Sequence, residues 1–358
     1  MKTKVISVNR EALKDGALLE AAQVLRDGGL VAFPTETVYG LGANALDGQA
    51  ASRIYAAKGR PSDNPLIIHI SKKSDLDQLV ETIPETGRKL MDAYWPGPLT
   101  MIFAKSSVVP YATTGGLDTV AVRMPDDAVA ARLIELSQVP VAAPSANTSG
   151  RPSPTAAEHV YQDMDGRIEI IVDGGPVGIG VESTIVDVTE EIPMLLRPGA
   201  VTLEMLCRIV GQVEIDPAIA GPVQAGIKPK APGMKYRHYA PKAELTLVED
   251  RDWNGGPVSI NVVNTIRNLV SWSGDKGRKA GIICTDETKN LYPDSAVIRS
   301  LGQRNREETI AHNLFGILRE FDSLDVDTIY SESFWGENLG QAIMNRLTKA
   351  AGYHIMKV

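Results

Sequence analysis

The N-terminal part of the chain alternates between two hydrophobic periods. Ala17 to Arg26 carries apolar residues at helical spacing and stops at Gly28-Gly29, which leads into the apolar run Leu30 to Phe33. Such a run reads as a buried strand, and it ends at Pro34, where the backbone must leave the sheet. Gln49 to Ala57 is again helical, with Gly59 reading as its C-cap. After the turn Pro61-Ser62-Asp63-Asn64-Pro65, a second strand from Leu66 to Ile70 contains one polar residue, His69. Asp75 to Val80 and Thr86 to Tyr94 read as helices, and Trp95-Pro96-Gly97-Pro98 breaks the pattern. Leu99 to Ala104 and Thr119 to Met124 read as strands, Ala128 to Leu136 as a helix and Val139 to Ala143 as a further strand. Residues 144–155, PSANTSGRPSPT, are too rich in Ser, Thr, Pro and Gly for regular structure. A helix after Thr155, strands near 169–172 and 184–188, one ended by Arg197-Pro198-Gly199, and a helix from Leu203 to Val210 follow.

Residues 221–242 are of a different kind. Pro222, Pro229, Pro232 and Pro241 exclude a persistent helix or central strand, and Lys228, Lys230, Lys235, Arg237 and Lys242 face no acidic residue within the segment. A semi-rigid interdomain linker with a solvated charge run is the plain reading, although Tyr236 and Tyr239 are groups that a passive spacer does not require. Beyond it, Glu244 to Val248, Val258 to Val263, Gly281 to Cys284 and Thr328 to Tyr330 read as strands, alternating with helices near 265–272, 306–322 and 338–351. The expected architecture is α/β: a twisted, mixed open sheet with flanking helices over residues 1–212, a Pro/Lys-rich linker and active-site lid over 213–242, and a smaller Rossmann-like α/β domain over 243–358.

Length and charge narrow the classes. The 358 residues suit two domains of ordinary size, and a net charge of −7 argues against a general nucleic-acid-coating surface. The two cysteines, Cys207 and Cys284, build no disulfide framework or zinc pattern. The N-terminus lacks the apolar core of a signal peptide, and no apolar stretch has the length of a membrane span, so a cytoplasmic enzyme without membrane attachment is expected. There is no P-loop, no dinucleotide fingerprint, no metalloprotease helix and no nucleophile elbow.

What remains is a set of cations and hydroxyls at strand ends, where ligands meet open α/β sheets. Thr35, Glu36 and Thr37 follow the first strand, while Lys58 and Arg60 flank Gly59. Either cation could merely complement the helix dipole, and His69 could be a hydrogen-bonded core residue. The combination suits a phosphate-bearing ligand, with side-chain cations and Mg²⁺ bridged by the phosphates, not held by protein ligands. Arg123 sits at a strand end and can clamp a carboxylate. Ser145 and Asn147 follow a strand and can build a turn or hold an adenine, ribose or phosphate.

The motifs TETVYGLG, KGRPSDNPL, WPGPLT, VAVRMPDD, PVAAPSANTSGRPSPT, STIVD and LRPGAV occur in this order, and PGMKYRHYAP lies in the linker. Together they resemble the YrdC-like family, whose two-domain members are threonylcarbamoyl-AMP synthases; the resemblance covers about residues 14–242 with specific motifs. It implies synthesis of L-threonylcarbamoyl-AMP and pyrophosphate from L-threonine, bicarbonate or carbon dioxide, and ATP, with Mg²⁺. The product would pass to downstream tRNA threonylcarbamoyl transferase machinery, which modifies the adenosine 3′ of the anticodon. By resemblance, Lys58, Arg60, Asn64, Thr119, Ser145, Ser153, Arg197 and Tyr236 contact ATP, Asn147 being added from its place in the same loop. Thr37, His69, Arg123, the backbone near Ala143 and Ser183 hold threonine, and Lys58 and Arg60 are the catalytic pair. Two rivals remain. A non-catalytic RNA-binding module is disfavoured by the net charge and by aromatic residues making up only 5% of the chain, though weak RNA binding stays open. A carbamoyl transferase of the hydrogenase-maturation kind would carry zinc-finger-like and acylphosphatase-like modules.

Overall fold

A computed structural model describes residues 2–219, 221, 231–232, 238–251, 258–336 and 338–358. By internal contacts the chain divides into two units, Met1–Ser149 with Ser153–Tyr236, and Gly150–Pro152 with Arg237–Val358.

In the first unit the described strands form one mixed sheet. Its order is Lys4–Ser7, Ile170–Asp173, Val31–Phe33, Gly40–Asn44, Val141–Ala142, Ile67–His69, Thr119–Arg123, Leu99–Ala104, Thr184–Asp187, Met194–Arg197 and Glu214–Ile215. Parallel and antiparallel pairs are mixed through the centre: Ile67–His69 runs parallel to Thr119–Arg123 and antiparallel to Val141–Ala142. Apolar side chains fill both faces. Ile54, Leu90 and Leu206 belong to one buried cluster, and Leu18, Leu25, Val129 and Leu133, from helices Asp15–Arg26 and Ala128–Ser137, belong to the other.

Local chemistry sets the elements near the strand ends. Helix Gly48–Lys58 starts where the Asp47 carboxylate accepts from the amides of Gln49 and Ala50, and ends at Gly59 with φ 61°, the left-handed conformation expected of its C-cap. Gly40 and Gly42, read from the sequence as points of turning or close approach, lie inside a strand. A Cβ on Gly42 would stand 2.8 Å from both Phe33 and Val141, so the neighbouring strands leave room only for hydrogen. Asp75 to Val80 is not helical: Lys73–Leu76 makes one 3-10 turn, and Val80 forms an isolated bridge with Lys105.

The second unit carries a parallel sheet in the order Val297–Ser300, Ala280–Cys284, Thr328–Glu332, Glu244–Glu249 and Ile355–Lys357. The Rossmann-like expectation holds in kind, but Val258 to Val263 is not a strand. Its β-branched residues begin helix Ile260–Asp275, capped by Ser259, whose hydroxyl accepts from the Val262 amide. Val262, Ile266 and Val270 then lie on one buried face, so helical spacing outweighs the strand propensity of the first six residues. Tyr239 stacks on Phe315 within this unit, with ring centroids 5.1 Å apart.

Candidate active site

Strand ends of the first unit bring most of the expected residues into two clusters. The first lies at the C-terminal ends of Ile67–His69 and Thr119–Arg123, where His69 and Arg123 are register partners; Arg123 in turn pairs with Thr100 on Leu99–Ala104. The Arg123 guanidinium is buried and almost surrounded. Nη1 donates to Thr37 Oγ1 at 2.9 Å and Nε to the Gly97 carbonyl at 3.3 Å, while Nη2 lies 2.6 Å from Glu36 Oε2. Thr37 is fixed from its other side by a 2.8 Å contact with the Thr35 hydroxyl. Ser183 reaches the same cluster through a 2.8 Å hydroxyl contact with Thr100. Arg197 holds Ser183 in place, donating from Nε to its carbonyl at 3.0 Å and from Nη2 to its hydroxyl at 3.1 Å.

His69 is fully packed in this cluster, its ring edge-on to Phe33. Burial, and then the neighbouring Arg123 charge, depress its pKa to about 3, so the imidazole is neutral near pH 7. Nδ1 lies 3.2 Å from the Ile67 carbonyl. That oxygen can only accept, so Nδ1 is the donor in this contact, and the Val141 backbone is a second hydrogen-bonding neighbour of the ring. The depressed value has a consequence for stability. The unfolded chain takes up the His69 proton near pH 6.5 and the folded chain only near pH 3. The contribution is therefore complete above about 6.5 and is lost as pH falls between those values. Between pH 7 and pH 5, urea unfolding of the wild type should lose about 2 kcal/mol more than His69→Gln. Equal losses would mean that the ring titrates normally.

The second cluster surrounds the turn after helix Gly48–Lys58. Lys58, only 1% exposed, donates its ammonium to the carbonyl of Ser145 and, at 2.5 Å, to that of Asn147. Its own carbonyl accepts from the Ser149 amide at 2.9 Å, so this lysine is tied twice to one loop. Inside the loop the Ser145 hydroxyl donates to Asn147 Oδ1 at 2.6 Å, and Thr148 N donates to Asp163 Oδ2 at 3.1 Å. Arg60 folds back on its own turn, Nε donating to the Asn64 carbonyl at 3.3 Å and Nη2 to that of Pro65 at 3.1 Å. The Asn64 side chain is buried, and its Oδ1 accepts no hydrogen bond from the described residues. Thr119 begins the strand parallel to Ile67–His69 and, by register, lies beside Pro65.

Lys58 and Arg60 therefore belong to one cluster and His69 to the other. From Pro65 to His69 the chain is extended over about 13 Å, at about 3.3 Å per residue, so the cations and the imidazole stand at opposite ends of one strand. Ala143 runs between the clusters. Its N–H already donates to the Ile67 carbonyl at 2.8 Å, which leaves only its carbonyl for a ligand. Ser153 donates to Glu182 Oε1 at 2.5 Å, and both residues are buried. Tyr236 lies outside the described residues. The sequence reading placed Glu36 at a ligand-facing strand end without giving it a role, and passed over Thr100 and Glu182. The signal for Glu36 was present: a carboxylate two residues after a strand-ending proline and between two threonines. Among the described residues no group of three or more His, Cys, Asp or Glu could hold a metal ion, and no helix is long and apolar enough to cross a membrane.

An α/β sheet with polar and cationic side chains at its strand ends defines a class, and comparison with known proteins specifies it. A profile described as telomere recombination, covering Sua5, YciO and YrdC proteins, matches residues 23–199. One described as the C-terminal domain of threonylcarbamoyl-AMP synthase matches residues 201–352. The chain is 50% identical to the threonylcarbamoyl-AMP synthase of Pyrococcus abyssi, over 99% of this chain and 100% of that one. It is 46% identical to the Bacillus subtilis enzyme of the same name, over 100% of both. The crystal structure of Pyrococcus abyssi Sua5 complexed with L-threonine is similar at a TM-score of 0.92 and 49% identity, covering 99% of this chain and 100% of that one. The chain belongs to the threonylcarbamoyl-AMP synthase family, enzymes of the ATP-using nucleotidyltransferase type.

Proposed function

We propose that the first unit condenses L-threonine, carbon dioxide or bicarbonate, and ATP into L-threonylcarbamoyl-AMP and pyrophosphate, supplying the group placed on the adenosine 3′ of the anticodon in tRNAs by a downstream transferase in the cytoplasm. The observation that carries this reading is the Arg123 cluster. A buried guanidinium, a neutral imidazole and the hydroxyls of Thr37, Thr100 and Ser183 complement a small amino acid that has a hydroxyl of its own. A solved relative, 49% identical, is described as a complex with L-threonine.

Arg123 would take the threonine carboxylate, and His69 with the Ser183 and Thr37 hydroxyls would read the threonine hydroxyl. Once the threonine amine has lost its proton, its nitrogen adds to carbon dioxide, giving a carbamate after loss of a second proton. A carbamate oxygen then attacks the α-phosphorus, and pyrophosphate leaves. No protein nucleophile takes part; orientation and charge stabilisation lower the barrier. Lys58, Arg60 and Arg197 supply positive charge, while Asn64, Thr119, Ser145, Asn147 and Ser153 line the nucleotide side. The backbone at Ala143 joins the two halves. Magnesium would arrive with the triphosphate as part of the substrate, since the described residues offer it no ligand cluster.

A site that pairs buried polar groups with a substrate hydroxyl rejects an analogue without it, because those groups are left unpaired. With 2-aminobutyrate in place of threonine, kcat/KM for pyrophosphate release should fall at least about a hundredfold. Equal use of the two amino acids would show that the hydroxyl is not read.

A further inference from the structure

Among the buried polar atoms without a hydrogen-bond partner, three stand together at the end of strand Thr119–Arg123: Arg123 Nη2 and both carboxylate oxygens of Glu36. Nη2 and Oε2 are 2.6 Å apart, with the two side chains 4% and 14% exposed, so opposite charges touch without hydrogen-bond geometry. Buried polar groups seldom lack hydrogen bonds, and these three atoms are held by charge alone, so each keeps hydrogen-bonding capacity. They are one donor on a cation and two acceptors on an anion. That is the complement of a zwitterion.

The surrounding charges favour the same occupant. Beside Glu36 lies a second ion pair, Arg10 Nη2 with Asp127 Oδ2 at 3.2 Å. Burial, and to a lesser degree the nearby Glu36, push the Asp127 carboxyl upward, opposed by the adjoining amides and Arg10, which places the two carboxylates within electrostatic reach of each other. The two nearest charge pairs are Arg123 with Glu36 and Arg10 with Asp127. A zwitterion adds no net charge beside them, whereas a lone carboxylate adds an anion. The backbone at this point is also held: Ile179 N donates to the Glu36 carbonyl at 2.8 Å and Gly180 N to that of Thr37 at 3.1 Å.

We propose that Glu36 receives the α-ammonium group of the amino-acid substrate while Arg123 receives its carboxylate, so that the site reads both charges of the zwitterion. The proposal rests on the reading of the Arg123 cluster as the threonine site and adds a residue to it. Glu36 then selects for a free α-amine, the group from which the carbamate is built.

Calorimetric titration of the full chain separates the possibilities, with L-threonine and 2,3-dihydroxybutanoate as probes. The second compound keeps the carboxylate and the side-chain hydroxyl but replaces the ammonium by a hydroxyl. The wild type should bind it at least about a hundredfold more weakly than threonine. Glu36→Gln should weaken threonine at least about thirtyfold and narrow the gap between the two compounds to less than about tenfold, with ATP binding changed less than twofold. If the wild type binds both compounds equally, or if Glu36→Gln keeps wild-type affinity for threonine, the proposal is overturned. A variant that weakens both probes alike shows that Glu36 only positions Arg123, which also overturns it. If the wild type binds neither probe, the underlying reading of the cluster fails instead. The wild-type comparison of the two probes can still overturn the proposal if the variant does not fold.

Discussion

Arg123→Ala is expected to abolish useful threonine turnover and to weaken the first unit at the same time. The guanidinium is buried, donates to Thr37 and Gly97, and lies against Glu36. Its removal takes away the partner of the substrate carboxylate and leaves Glu36 as a buried, unpaired charge. Loss of a fully desolvated charge contact costs about 2–5 kcal/mol in binding, so kcat/KM for threonine should fall by about thirtyfold to several thousandfold. The uncompensated Glu36 should lower folding stability by ~3–5 kcal/mol. Arg123→Ala/Glu36→Gln should recover much of the stability and none of the activity. Threonine-dependent pyrophosphate release and urea midpoints of the three proteins check this. Activity within tenfold of the wild type in the single variant would remove Arg123 from the substrate site.

Lys58→Met carries the second large effect, and its route is different. The ammonium is bound to the carbonyls of Ser145 and Asn147, and the Lys58 carbonyl holds the Ser149 amide. Methionine keeps an unbranched chain one atom shorter but removes the three donors, leaving two carbonyls without their cation. Each unsatisfied buried carbonyl costs about 1–3 kcal/mol. The loop should therefore loosen, amide exchange at Thr148 and Ser149 should quicken by at least about tenfold, and KM for ATP should rise about a hundredfold while threonine affinity changes little. Unchanged exchange together with an unchanged KM would mean that the loop is organised without the lysine.

The parts of this site that could be read from the chain are those whose cause is local. Gly59 follows from the need for a left-handed C-cap, and Arg123 stands out as a charge at the end of an apolar strand. The helix Leu203–Val210 is bounded by Thr202, which caps it, and by Gly211, so both ends are written in adjacent residues. What escaped depends on partners far along the chain. Gly40–Asn44, with the sequence GLGAN, has little strand propensity of its own. It is a strand because Val31–Phe33 and Val141–Ala142 pair with it on either side. The contact of Thr100 with Ser183 and that of Ser153 with Glu182 join residues 83 and 29 positions apart. Nothing in either local sequence announces its partner. Lys58 shows the limit most clearly. Its position next to a helix end suggested a dipole complement or a phosphate contact, and only the folded loop shows two carbonyls closing on its ammonium.

The central claim is that one site joins threonine, a one-carbon unit and AMP. It is tested most directly by mass spectrometry of the product formed from ATP, L-threonine and ¹³C-labelled bicarbonate, in the absence of RNA. The expected product is an adenylate that carries both threonine and one labelled carbon, released with an equal amount of pyrophosphate. An unlabelled threonyl adenylate, or no adenylate until RNA is added, would contradict it.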